Sequence, residues 1–295
     1  MNYKMMGRLI AQILLAEAAF MVPALIISLA GQDSQAILGF ALSILVILAV
    51  AGVLMFFARK AKKGFYAREG MVCVGLAWIV MSLLGCLPFW ISREIPFYLD
   101  GLFEIVSGFT TTGASILSNV EVLSNGMLYW RSFSHWVGGM GVLVFLLAVV
   151  PVSGRNDGFT MHLLRAESPG PNVAKLVPRI RSTAGILYIL YIVLTVVDFL
   201  LLIVGKMPVL EAVCTAFGTA GTGGFGVKND SMASYSPYIQ NVCTVFMLLF
   251  GVNFSCYYLL IMKQVKSVYK DEELRLYVGM VLGSVLLIVI NLRGF

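Results

Sequence analysis

Charge is the scarcest commodity in this 295-residue chain. Asp, Glu, Lys and Arg together make up 12% of it, where soluble domains carry about a quarter. Apolar residues fill 59% and mean hydropathy is +0.91, so the composition excludes an ordinary soluble domain and describes a polytopic membrane protein. Histidine is nearly lacking: His135 and His162 are the two present, which speaks against a histidine metal site. The five cysteines, Cys73, Cys86, Cys214, Cys243 and Cys256, form no C-x-x-C pair and read as small packing residues. The chain is read as carrying neither G-x-G-x-x-G nor a P-loop and is expected to hold no nucleotide site, so nucleotide control falls to a partner. His135 stands near Ser132 and Ser134, but no acidic orienter or oxyanion signature accompanies them, and interface polarity is the plainer account. The chain reads as no enzyme and needs no cofactor. Its net charge of +6 reads as basic cytoplasmic loops rather than a nucleic-acid surface.

What is present in quantity is long apolar runs. Residues 7–30 and 36–58 form a hairpin; the first outlasts a signal peptide's apolar region and contains Glu17, so it reads as a retained helix. Further spans are expected at 70–92, 127–152, 184–205, 238–262 and 274–292, each near the 20 or so residues that cross a bilayer. With the N-terminus inside, sixteen basic residues face the cytoplasm: Lys4, Arg8, five within 59–68, five within 155–181 and four within 263–275. Five (Arg93, Arg131, Lys206, Lys228 and Arg293) fall outside. That bias supports all the crossings together.

Two stretches break the pattern. After Pro96 and Pro208 come short apolar pieces, 101–109 and 209–217, too short to span and natural as re-entrant half-helices. Each runs into Thr and Gly: Gly108-Phe109-Thr110-Thr111-Thr112-Gly113-Ala114-Ser115, and Phe217-Gly218-Thr219-Ala220-Gly221-Thr222-Gly223-Gly224-Phe225. Glycine takes the positive φ angles that turn carbonyls toward one axis, and threonine adds a hydroxyl acceptor. Stacked carbonyls are how a pore replaces a cation's hydration shell. The two runs therefore read as parts of an ion filter, with a tight helix–helix turn as the bland alternative. The fold class is all-α polytopic membrane protein: an N-terminal helical hairpin plus tandem membrane–pore-loop–membrane repeats of the potassium-channel type. The units are 1–69 (hairpin and basic loop), 70–183 (first repeat and cytoplasmic loop), 184–272 (second repeat) and 273–295 (start of a third).

Other residues have plain and sharp readings. Gly138-Gly139-Met140-Gly141 permits close helix packing, or else a hinge. Glu17, on a peripheral hairpin, and Asp198 are intramembrane carboxylates, read as helix pairing before function. Glu104 and Glu211, taken as equivalent, either enrich cations at the outer mouth or form a solvated face.

The ordered set Ser107–Ser115, Trp136-Val137-Gly138-Gly139-Met140-Gly141, Pro178-Arg179-Ile180-Arg181-Ser182-Thr183-Ala184, Thr222-Gly223-Gly224-Phe225 and Asn253-Phe254-Ser255 resembles the membrane subunit of the bacterial Trk potassium-uptake systems, in the Trk/Ktr/HKT superfamily. The resemblance implies potassium uptake, by channel or symport, across the inner membrane through one pore built from four repeats. It also implies a homodimer and a cytoplasmic nucleotide-binding regulatory ring partner. Ion-binding residues carried over are Thr110, Thr111, Thr112, Gly113, Ala220, Gly221, Thr222, Gly223 and Gly224, with K+ at Thr111, Thr112, Gly113, Thr222 and Gly223. Thr222-Gly223-Gly224 is set against Thr112-Gly113-Ala114, so Gly223, or else Gly221, answers Gly113. Two repeats are complete and the rest are missing, which marks the chain as a C-terminally truncated piece. The alternatives are a non-conducting scaffold and a relative permeable to sodium as well as potassium.

Overall fold

In the computed structural model of the chain, residues 2–59, 67–141 and 180–293 are described, and they are helical, with no strand among them. The first two helices, α1 (Tyr3–Ala30) and α2 (Ser34–Phe57), form the expected hairpin. Their turn is closed by Gln32 in left-handed backbone and by Asp33, whose carboxylate accepts from the Ala36 amide at 3.3 Å to cap α2. The hairpin is not peripheral, as its sequence position suggested. Helix α1 packs on α2, on α3 (Ala67–Gly85) and on α6 (Asn125–Met140), and it buries Glu17 completely. Gly85 is what lets α3 approach: a Cβ there would meet the Glu17 carboxylate and the rings and methyls of Phe109 and Ile105.

Helix α3 continues as α4 (Leu87–Ile91), interrupted where Pro88 removes a backbone donor. Residues 69–91 together are long and apolar enough to cross a membrane. Then comes α5 (Tyr98–Phe109), 12 residues and so only about 18 Å long at 1.5 Å per residue, short of a hydrocarbon core of about 30 Å. Helix α6 ends at Gly141, whose φ of 71° closes it. The second part of the expected 127–152 span lies outside the described residues. So do 153–179 and 60–66, with most of the basic loops.

The second copy follows as α7 (Ile180–Val204), α8 (Val209–Ala220) and α9 (Pro237–Gly251). Its half-helix also has 12 residues and lies 111 positions after the first, Tyr98 matching Val209 and Phe109 matching Ala220. On that register Asp100, not Glu104, answers Glu211. Both outer-side entries use the same device: Arg93 and Lys206 sit at φ 64° and 65° after their helices, and Pro96 and Pro208 follow.

The expected single span at 238–262 is broken. Helix α9 stops at Gly251, and α10 (Phe254–Ile261) departs at 87°. Val252 is extended, and the Asn253 side chain accepts from the Ser255 amide at 2.9 Å, starting a new helix. Beyond α11 (Val265–Tyr269), helix α12 (Glu272–Arg293) braces the bend: Asn253 Nδ2 donates to Glu273 at 2.8 Å and the Tyr277 hydroxyl to the Leu248 carbonyl at 3.0 Å.

Candidate functional site

The two Thr/Gly runs leave their half-helices by the same route. Thr111 donates to the Gly108 carbonyl at 3.0 Å and Thr112 to Ser107 at 2.9 Å; Thr222 donates to Thr219 at 2.9 Å and Gly223 to Gly218 at 3.2 Å. Thr111 and Thr222 have φ of 53° and 54°, and Gly113 and Gly224 have 75° and 77°. A β-branched residue at positive φ is uncommon and costs energy, so its recurrence 111 positions later marks one loop built twice. This register corrects the sequence alignment. The counterpart of Gly113 is Gly224, and Gly223 answers Thr112. Ala220 is the last residue of α8 and is buried, and Gly221 caps that helix. Thr110, Thr112, Thr222 and Gly224 are exposed.

The strands face one another: a Cβ on Gly113 would overlap the carbonyl oxygen of Gly223. Helix α6 stands behind both, and its glycines set the distances. Gly138 takes the Phe109 carbonyl of the first half-helix, Gly139 takes the Tyr191 hydroxyl and the Gly221 Cα of the second, and Gly108 takes the Ser134 hydroxyl. The Gly138–Gly141 run is therefore a packing device, as its small residues suggested.

Between these elements lies a buried polar clamp that the sequence did not disclose. Arg131 Nε donates to Glu104 Oε1, with the two side chains 3% and 0% exposed. Glu104 also accepts from the Ser115 hydroxyl at 2.9 Å and the Ile116 amide at 3.0 Å, holding the exit of the first strand. Arg131 Nη1 donates to the Gly226 carbonyl at 3.0 Å, holding the exit of the second. One ion pair thus ties both strands to α5 and α6. Glu104 is no part of a solvated face, and Arg131, counted with the outer-side charges, is buried beside it. Their pairing is geometrically plain but joins residues 27 apart on different helices. The usable signal was an acid, Glu104, and a base, Arg131, within mostly uncharged helices.

Further out, Asn229 links the exits. Its side-chain oxygen accepts from Val120 at 2.8 Å, its amide donates to the Asn119 side chain at 2.8 Å, and its backbone donates to Glu121 at 3.0 Å. Glu211 accepts from the Tyr235 hydroxyl, and Lys228 lies 4.2 Å over the Tyr235 ring. The carboxylates of Glu17 and Asp198 are buried with no hydrogen-bond partner among the described residues. All five cysteines are buried and free. One expectation needs correcting in its letter: Gly221-Thr222-Gly223-Gly224-Phe225-Gly226 does spell G-x-G-x-x-G. That string holds a dinucleotide only between a strand and a helix start, and here it follows the end of α8.

Long apolar helices, paired half-helices and two facing Thr/Gly strands define a polytopic helical membrane protein. The family described as TrkH, cation transport protein, matches residues 37–291. The Trk system potassium uptake protein TrkH of Salmonella typhimurium is 32% identical over 291 residues, 97% of this chain and 59% of that protein. TrkG of Escherichia coli K12 is 30% identical over 90% of this chain and 55% of its own length. The crystal structure of the potassium transporter TrkH from Vibrio parahaemolyticus superposes with a TM-score of 0.80 at 27% identity, covering 98% of this chain and 58% of that one. The chain belongs to the TrkH family. It spans a little under three fifths of the length of these relatives.

Proposed function

We propose that the chain contributes two of the repeats around a potassium-conducting pore, and that the segments Thr110–Gly113 and Gly221–Gly224 are its filter strands. The observation that carries this is the repeated backbone: Thr111 and Thr222, then Gly113 and Gly224, hold the same positive φ at the same distance from two half-helices. Alternating handedness along a strand turns successive carbonyls to one side, where they replace a cation's water. The half-helices end beside the strands, and a helix C-terminus carries partial negative charge that favours a cation. Thr111, Thr112, Gly113, Thr222 and Gly223 supply K+ oxygens, with Gly224 now joining them as the structural partner of Gly113. The names of the relatives, potassium uptake proteins, agree.

The rest of the proposal is carried over from the family resemblance: a multi-pass inner-membrane protein with its N-terminus in the cytoplasm, a pore closed by four repeats, a homodimer, and a nucleotide-binding ring partner. The units are the hairpin with its loop (1–69), two repeats (70–183 and 184–272), and a third beginning at 273. The work is permeation and not bond chemistry.

The test is potassium-dependent growth of an uptake-deficient bacterium carrying this chain, beside a version extended by a third and fourth repeat. Rescue by the extended version and its loss on Gly113→Asp support the reading. Rescue that survives Gly113→Asp in a well-expressed protein removes the filter assignment, and rescue by neither version removes potassium.

A further inference from the structure

The buried histidine has no place in the pore chemistry so far. His135 lies one turn below Arg131 on α6, wholly buried, and neither ring nitrogen has a hydrogen-bond partner among the described residues. Burying an unpaired imidazole is costly, so packing alone is a poor reason for it. Interface polarity, the plain sequence reading, does not describe this position.

Its surroundings are specific. The imidazole stacks on the Phe225 ring at 3.9 Å with an interplanar angle of 11°. The Arg131 guanidinium carbon stands 3.5 Å over the same ring. Two groups that close to one centroid cannot share a face, so Phe225 is sandwiched between two side chains of α6. The third neighbour is the second strand itself. A Cβ on Gly223 would strike the imidazole at Cε1, Nδ1 and Nε2, and a Cβ on Gly221 would strike the His135 carbonyl. Across the strand, the Gly223 carbonyl oxygen fronts the Cα of Gly113. Gly223 therefore touches both the ring and Gly113.

We infer that His135 is the residue that positions the second filter strand: its planar ring, fixed on Phe225, wedges Gly223 toward Gly113 and so sets ion preference. This rests on the two strands forming an ion filter. Whether a filter discriminates by cavity size or by the field of its carbonyls, both depend on where the strand stands. The ring has two rotatable bonds, and its backbone is pinned against Gly221, so the wedge has little freedom. Gly223 is glycine for a reason separate from φ: its side-chain space is already taken by the ring.

That last point gives a test. The purified protein, extended by a third and fourth repeat and held in lipid nanodiscs, is titrated with KCl and with NaCl, and apparent affinities are read from the rise in melting temperature. The unsubstituted extended protein, Gly223→Ala, His135→Ala and the double variant are compared. Each single change lowers the preference for potassium over sodium by about tenfold, the scale on which a small misfit is felt in a fitted site. The double variant recovers most of what Gly223→Ala loses, because the new methyl occupies the vacated ring space. A double variant no better than Gly223→Ala, or His135→Ala with an unaltered preference, overturns the inference. No potassium preference in the unsubstituted extended protein removes the filter reading and this inference with it. A second measurement needs no change at either site. With His162→Gln, a chain labelled with 15N in histidine gives one imidazole pair, from His135. Its resonances move when potassium is exchanged for sodium. Resonances blind to the exchange, in protein whose melting still responds to potassium, overturn the wedge.

Discussion

The two helices that follow the Thr/Gly strands, α6 and α9, begin alike and diverge. Both start behind a serine, Ser124 and Ser236, in extended backbone, so Arg131 answers Cys243 and His135 answers Met247. Helix α6 packs against both half-helices, whereas α9 packs against α7 and α8 and leaves Val245 and Leu248 exposed. Where two repeats meet, the helix between them carries Arg131, Ser132, Ser134 and His135, all buried. In the second copy those places are taken by apolar or weakly polar residues, and the helix bends at Val252 instead. A position shared by two strands thus collects polar groups that can reach both, at the cost of their desolvation.

The first way to break this comparison is at the clamp. Arg131→Leu leaves the Glu104 carboxylate buried without its cation, a loss of about 3–5 kcal/mol. Cys243→Leu, at the matching place, stays within about 1–3 kcal/mol as an overpacking effect. Melting curves of the two variants check the ranking, and equal losses would dissolve the asymmetry. Next come the glycines. Gly113→Ala adds a methyl where the Gly223 carbonyl oxygen stands and abolishes potassium-dependent growth by the extended protein. Gly224→Ala meets only the Met247 methyl at 3.6 Å, so it bears mainly the left-handed backbone cost of about 1–2 kcal/mol and retains partial growth. Smaller again is Asn229→Ala, which removes two side-chain hydrogen bonds joining the exits. At about 1 kcal/mol for each, partly offset by water, it lowers melting by a few degrees and leaves α6 untouched.

The smallest effect concerns an entry loop. Burial pushes the Glu94 carboxyl above its ordinary value of 4.5, opposed by hydrogen bonds from the Ser124 amide and hydroxyl. Between the ordinary and the raised value the folded protein holds a proton that the unfolded chain has released. Stability therefore falls as pH rises through that window. Melting temperatures across it show a shallow decline that Glu94→Gln removes.

Much of this was legible in the sequence, for a definite reason. The long helices follow from run length, and the strands from Thr and Gly after a segment too short to span. What stayed hidden depended on the third dimension or on backbone angle. Thr222-Gly223-Gly224 aligns with Thr112-Gly113-Ala114 by letter, but the handedness of Thr111 and Thr222 fixes the register one residue away. Arg131 with Glu104, and His135 with Phe225, join separate segments and show no spacing. Asn253 differs in letter only slightly from a tolerated polar residue, and whether it caps a helix depends on whether the chain can turn there.

The fixed register also bears on how the chain tolerates change. From half-helix to strand glycine the copies keep step at 111, yet by the next helix they differ by 112, Ser124 to Ser236. The extra residue was absorbed in the exit loop. The block from Ser107 to Gly113 is thus a cassette equal in length to Gly218–Gly224, and the two look exchangeable. They are not. A threonine in place of Gly108 would collide with the Ser134 hydroxyl, while a glycine in place of buried Thr219 would leave a hole. Two loops of one backbone shape are thus held at separate addresses by the helix between them.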